Sequence, residues 1–210
     1  MDNANAAGTP EQEDGGLRSR LVTVGAELVA AEGVQALTLR EIARRAGVSH
    51  GAPRRYFPTH LSLLSAIARQ GFGELSDHLA AAVQEKSAEE SAAESDPRAQ
   101  LRTLARAYLD FARTHPGMYE LMFRHDLLES GHLGLRETSL PMFTALVGLV
   151  AQVRTRPEAE ARVVAGALWA NLHGTAQLWG WGSLQLATGA DDVEPLLHAA
   201  LDAHLGQAPR

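Results

Sequence analysis

Cysteine is absent from this 210-residue chain. That excludes disulfides and thiolate metal sites, and it suits a reducing cytoplasm, where the protein is expected to work. Aromatic residues are scarce at 5%, while alanine and leucine abound, a balance that suits packed helices better than sheets. No run of alternating β-branched residues is long enough for a strand. No stretch approaches about 18 consecutive apolar residues, so no membrane span is expected. The opening MDNANAAGTPEQEDGG lacks the basic start and apolar middle of a secretory signal, so none is expected. There is no G-x-S-x-G elbow, P-loop or G-x-G-x-x-G, and an enzyme is not expected. His115, His125, His132 and His173 invite a metal reading. Without HExxH or a His/Cys cluster of zinc spacing, neither a metal nor another cofactor is expected.

What is present is 45% hydrophobic residues, enough for one large or two small cores. The net charge of −6 argues against nucleic acid until its distribution is considered. Between Leu17 and Gln70 eight arginines face three glutamates, a balance of +5 that leaves −11 for the remainder. A basic N-terminal module on an acidic remainder is the electrostatic footprint of a DNA-binding domain joined to something else.

The most informative stretch is TLREIARRAGVSHGAPRRYF, Thr38 to Phe57. Leu39, Ile42, Ala43 and Ala46 fall on one helical face. Thr38 and Glu41 form a capping box in which each side chain satisfies a free backbone N–H. Gly47 ends that helix. Ser49 or His50 opens a second, and Pro53, tolerated only in a first turn, places that turn at residues 50–53. Gly51 and Ala52 leave its start nearly bare, and His50 and Arg54 share a face flanked by Arg55 and Tyr56. Two short helices, a Gly turn and a basic second helix make a helix-turn-helix. The plain alternative is an αα-hairpin with solvated arginines.

Around this motif the spacing predicts a helix over about 17–32 and another from His60 into the low 80s, capped by Thr59. Gly71 and Gly73 sit inside the latter, as a hinge or as points of close packing. Asp96-Pro97 starts a helix that Pro116 stops, a short helix covers Met118 to about Leu128, and SGHLG at 130–134 is a loop. A further helix starts near Ser139, with Pro141 in its first turn. Pro157 opens another that runs to about Trp179. After a loop, Asp191 and Glu194 cap the last. The fold class is all-α, with about nine helices: a three-helix helix-turn-helix domain plus a larger helical domain.

LTLREIARRAGVSHGAPRRYFPTHLSLLSAIA resembles the DNA-binding domain of the tetracycline-repressor-like (TetR) family, over about Leu17 to Gly71. LWANLHGTAQLWGWGSL resembles the family's Trp–His–Gly type of C-terminal domain, here Trp169, His173 and Gly174. Residues 1–16, polar with Pro, paired Gly and acids, are expected to form a disordered arm. The resemblance implies a DNA-binding domain at 17–71 and a ligand-binding and dimerisation domain at 72–210. It also implies a homodimer formed through the last two helices on a near-palindromic double-stranded operator. Such a protein is a repressor released by a small, largely apolar effector. Arg54 stands where the family often has Tyr, Tyr56 where it often has His, and His60 where Lys is usual.

In that arrangement Arg40, Arg44, Arg45, His60 and the backbone at Thr38 position the protein on phosphates. Ser49, His50, Gly51, Arg54, Arg55 and Tyr56 lie toward the base edges. The ligand residues are Phe72, Tyr108, Phe111, Tyr119, Met122, Phe123, Phe143, Trp169 and His173, for each of which plain core packing is the alternative. The rival function is a small-molecule sensor or interaction module without specific operator binding.

Overall fold

A computed structural model describes residues 10–89, 96–130, 134–153 and 157–207 of the chain. Among these residues there are eleven α-helices and no strand. The first helix, α1 (Pro10–Glu32), starts seven residues earlier than periodicity predicts. A proline followed by EQED is start-signal chemistry, because the first turn needs no proline N–H and favours acids. The expected disordered arm therefore shrinks, and residues 1–9 lie outside the described region.

After a 3-10 turn at Val34–Ala36 come α2 (Leu39–Arg45), α3 (Pro53–Tyr56) and the long α4 (His60–Glu89). Thr38 caps α2, its hydroxyl accepting the Glu41 N–H at 3.1 Å. The other half of the expected capping box is not made. Thr38 N–H donates instead to the Ala36 carbonyl at 2.8 Å, and the Glu41 carboxylate turns to arginines one turn on. The helix ends in a Schellman arrangement: Gly47 N–H reaches the Arg44 carbonyl, Val48 N–H reaches Ala43, and Gly47 takes φ 68°.

The second motif helix is shorter than its sequence suggests. Pro53 has no N–H to return to Ser49, so that carbonyl accepts from Ala52 instead, at 3.0 Å. Residues 50–52 form a turn, and only Pro53–Tyr56 is helical. Thr59 and Ser62 cap α4 reciprocally, Ser62 N–H to Thr59 Oγ1 at 3.0 Å and Thr59 N–H to Ser62 Oγ at 3.2 Å.

The remaining helices are α5 (Pro97–Thr114), α6 (Pro116–Met122), α7 (His125–Ser130), α8 (Leu135–Val153), α9 (Glu158–Gly180), α10 (Ser183–Thr188) and α11 (Glu194–Leu205). Asp96 caps α5 as expected, accepting the Arg98 N–H at 3.0 Å. Four expectations need correction. The single helix predicted over 118–128 breaks at Phe123–Arg124, because Asp126, paired with Arg124, accepts the Leu127 N–H and restarts it. The helix predicted from Ser139 begins at Leu135, which puts Pro141 inside it rather than in its first turn. A short helix, α10, fills the expected loop before the last helix. Asp192 rather than Asp191 accepts the Glu194 N–H at 3.1 Å, while the Glu194 side chain leaves the cap for Arg106. Of the loop at 130–134, residues 131–133 lie outside the described region.

One hydrophobic cluster runs from the N-terminal bundle, around Leu21, Leu28, Ile42, Phe57 and Ile67, into the packed faces of α4, α5, α8, α9 and α11. The boundary expected at 71/72 falls within α4, which crosses from one part to the other. A Cβ at Gly71 would lie 2.5 Å from Met118 Sδ and 2.9 Å from Met122 Sδ. Close packing of α6 on α4 thus explains Gly71, whereas Gly73 meets nothing within 4 Å.

Candidate nucleic-acid interface and sensing core

The short α3 is held from beneath by buried Pro53 and Phe57. The Arg18 guanidinium, from α1, lies 5.3 Å from the centre of the Phe57 ring, a cation–π contact that fixes this end of the motif. Ser49, His50, Gly51, Arg54 and Arg55 stand together in solvent, and Tyr56 is half-buried against the core. The Arg54 and Arg55 side chains, like that of Arg40 on α2, have no partner among the described residues, so their donors face outward unspent. The expected base-facing set is therefore brought to one surface.

The expected phosphate-facing set divides. Arg44 grips Glu41 with two nitrogens, Nε to Oε2 at 2.9 Å and Nη2 to Oε1 at 2.5 Å. Arg45 reaches the same carboxylate through Nε at 2.8 Å and pairs also with Glu32 of α1. Hydrogen bonds first from Arg44 and then from Arg45 hold the Glu41 carboxyl at about 2. These two arginines are engaged before any DNA arrives. The Thr38 amide is also spent, on Ala36. His60 is exposed, but its Nε2–H donates to the Leu37 carbonyl at 2.6 Å and ties the start of α4 to the loop before α2. The Glu41 pairing was legible, since 41, 44 and 45 have helical ion-pair spacing. Nothing local in the sequence marks the His60 bond, which spans 23 residues.

In the C-terminal part, α4, α5, α6, α8 and α9 bring most of the expected ligand residues together. Phe72 meets Phe123 edge-on at 5.5 Å, and Phe123 contacts Tyr119, His173 and Trp169 at 5.0, 4.6 and 6.1 Å. Phe143 closes the group against Trp169 at 6.4 Å. Phe111 does not join it; it stacks on His115 at 4.7 Å and tilts against His78. Met122 is buried beside Gly71.

At the centre three polar atoms form a triangle. Tyr119 Oη lies 2.6 Å and Tyr108 Oη 3.0 Å from His173 Nδ1, and the two hydroxyls are 2.9 Å apart. The proton count fixes the tautomer. With a proton on Nδ1, three donors would share three edges, one of which ends on a nitrogen without a lone pair, and a buried hydroxyl would go unmet. With Nδ1 bare, one tyrosine donates to it and the other donates to that tyrosine, so both hydroxyls are satisfied. His173 then carries its proton on Nε2, which has no partner among the described residues. Burial pushes the Tyr108 phenol up to about 12, raises Tyr119 further and lowers His173. All three are neutral at pH 7. Trp169, 38% exposed, and half-buried His173 form the edge of the group nearest solvent.

No helix among the described residues is long and apolar enough to cross a membrane, and no group of three His, Cys, Asp or Glu there could hold a metal. His132, one of the four histidines considered for a metal, lies outside the described residues.

Residues 21–67 match the family model described as bacterial regulatory proteins, tetR family, and residues 101–204 match that of the tetracyclin repressor-like C-terminal domain. No curated protein matches the chain. Among solved structures, a protein of unknown function from Rhodococcus sp. RHA1 is 28% identical, with a TM-score of 0.72 over 97% of each chain. BioQ, in a crystal structure with its double-stranded DNA operator, is 20% identical with a TM-score of 0.59, over 89% of this chain and 98% of that one. The multidrug binding protein EbrR, complexed with imidazole, is 22% identical with a TM-score of 0.57, over 92% and 96%. With these last two the likeness is one of fold.

Proposed function

The chain belongs to the tetracycline-repressor family of DNA-binding transcriptional regulators, and from that premise we propose that it is a cytoplasmic homodimeric repressor released from a near-palindromic operator by a small, largely apolar ligand. The observation that carries this reading is the pair Arg54 and Arg55. They project unpartnered from a four-residue helix whose underside is locked by Pro53 and Phe57. Arginine presents two donors to the O6 and N7 of guanine, and Gly51 lets the backbone come close to the groove. A helix this short reads few bases, so two copies must act together, in successive major grooves roughly 34–36 Å apart.

The second copy has a surface to meet. Val163, Ala167, Ala170 and Leu178 form an exposed stripe along α9, with half-buried Gly174 within it and Trp181 just past its end; Val163 is 73% and Trp181 71% exposed. Such an apolar face beside α11 supports pairing through the last two long helices, α9 and α11. The neutral aromatic group around His173 supports the ligand reading. It would favour an uncharged, mostly apolar molecule with one acceptor for His173 Nε2–H, admitted by parting Trp169 and Phe143. Binding better to a form with wrongly spaced α3 helices, the ligand would release DNA. EbrR, a multidrug binder of the same fold, is consistent with that use of the domain.

The engagement of Arg44, Arg45 and His60 within the protein favours the rival reading, a sensor without specific operator binding. Gel shifts on the DNA around its own gene separate the two. Arg54→Ala and Arg55→Ala should each weaken binding by roughly 1–3 kcal/mol. Wild-type affinity in both variants would remove α3 as the reader.

A further inference from the structure

The triangle of Tyr108, Tyr119 and His173 has a direction, and the direction decides what it can hold. An indole N–H donates and never accepts. That of Trp169 acts on the Tyr108 oxygen, where it works against the rise that burial imposes on the phenol. Donation therefore runs from Trp169 through the two phenols, whose oxygens stand 2.9 Å apart, and ends on the bare His173 Nδ1. One proton of the group lies outside this series. His173 Nε2–H has no partner among the described residues, and Nε2 is open to solvent, unlike the sealed and unpaired Nε2 of His204.

The rings beside it have room to shift. Trp169 lies 5.8 Å from the imidazole and is 38% exposed. Phe143 is half-buried and meets Trp169 edge-on at 6.4 Å. It lies over Gly166, where even an added Cβ would stay 4.0 Å from its Cζ. A flat ring laid between Trp169 and Phe143 would find an aromatic face on either side.

The protons already placed sort the guests. An ammonium meets a donor where it needs an acceptor. An alcohol accepts from Nε2–H, but its own proton finds no taker, since both phenol oxygens are used inside the triangle. A carboxylate needs a positive partner, and the imidazole cannot become one, because its second proton would have to enter at Nδ1. A carbonyl oxygen accepts and brings no proton of its own.

We propose that the effector is a planar aromatic ketone or aldehyde, its oxygen accepting the His173 Nε2–H and its ring laid between Trp169 and Phe143. This rests on the reading of the aromatic group as the effector site and narrows it to one chemical class. Tyr108 and Tyr119 are then positioning residues, which hold the imidazole in the tautomer that donates from Nε2.

Calorimetric titration of the full chain with acetophenone, 1-phenylethanol, benzoate and ethylbenzene tests this, since the four share a ring and differ in the group offered to Nε2–H. Acetophenone should bind, 1-phenylethanol and ethylbenzene should each bind about tenfold more weakly, and benzoate should give no saturable heat. His173→Phe keeps a ring and loses the N–H, so acetophenone should fall to the level of ethylbenzene. Nitrogen NMR of the wild-type imidazole near neutral pH reads the tautomer without any variant, and should show the proton on Nε2 alone. Ethylbenzene, 1-phenylethanol or benzoate binding as tightly as acetophenone would leave the site standing and overturn the carbonyl class. So would a ketone preference kept by His173→Phe, or an imidazole protonated at Nδ1. If none of the four binds, the effector site itself is lost, and the proposal with it.

Discussion

Replacing Glu41 with glutamine should make the protein a tighter and more salt-sensitive DNA binder. Glu32, Glu41, Arg44 and Arg45 form one ionic group whose formal charges cancel. Glu41 accepts two hydrogen bonds from Arg44 and one from Arg45. Its carboxyl, held at about 2, stays charged at every pH where DNA binding is measured. Phosphates must therefore compete with it for those arginines. Glutamine removes the negative charge and spares the Thr38 cap, which uses the residue's backbone N–H. The gain is one unit of positive charge per protomer and two per dimer. Each neutralised phosphate contributes about 0.9 to the slope of log K against log salt, so the slope should steepen by about 1.8. At about 0.1 M salt the same figure corresponds to roughly 60-fold tighter binding. Fluorescence anisotropy on a labelled duplex, between about 50 and 200 mM KCl, reads both quantities. Parallel salt plots for wild type and Glu41→Gln, with an unchanged melting curve, would show that Arg44 and Arg45 do not meet phosphates.

Three further outcomes follow from the packing and the charges. Gly73→Ala should stabilise the protein by about 0.5–1 kcal/mol in urea denaturation, because its side chain meets nothing. Gly71→Ala should instead lose up to about 2 kcal/mol, as crowding of Met118 and Met122 outweighs the helix propensity gained; equal effects at the two positions would refute the packing account. The second outcome concerns His173, which burial lowers below its ordinary 6.5, so the unfolded chain takes up its proton first. Its contribution to stability is complete above pH 6.5 and is lost as pH falls below it. The melting temperature of His173→Phe should consequently drop less than that of wild type between pH 7.5 and 5.5, roughly one unit either side of that value. The third concerns Arg98, only 7% exposed, which joins the start of α5 to the end of α11 through the Gly206 carbonyl at 2.6 Å and through Asp202. Arg98→Met should cost about 2 kcal/mol by chemical denaturation, below the roughly 3–5 kcal/mol for breaking a fully buried pair because Asp202 is half exposed.

Local chemistry made much of the fold legible. Thr38, Gly47, Thr59 and Asp96-Pro97 are caps that act within four residues, and each does what its type and position dictate. The misses arise where a distant partner or a second local option wins. Asp126 restarts a helix because Arg124 is beside it, and the Glu194 side chain leaves its cap for Arg106, 88 residues away. By type Pro53 closes a first turn at residues 50–53, but the Ser49 carbonyl it cannot satisfy leaves 50–52 as a turn, and the helix begins only at Pro53. For the sites, residue type pointed to Arg54 and Arg55, which stand exposed, and to nine residues for a ligand, seven of which share ring or hydrogen-bond contacts with one another. It did not reveal that Phe111 faces His115, nor that Arg44 and Arg45, the two arginines expected on phosphates, are held by Glu41 and Glu32. The triangle of Tyr108, Tyr119 and His173 joins three helices, so its proton count exists only in the folded chain.

The central claim, a paired reader built on α3, is tested most directly by selecting bound duplexes from a randomised library with the full-length protein. The account predicts an enriched near-palindrome whose half-sites lie about one helical turn apart, and no enrichment with the Arg54→Ala/Arg55→Ala double variant. An unenriched pool, a single asymmetric half-site, or the same motif recovered by the double variant would contradict it.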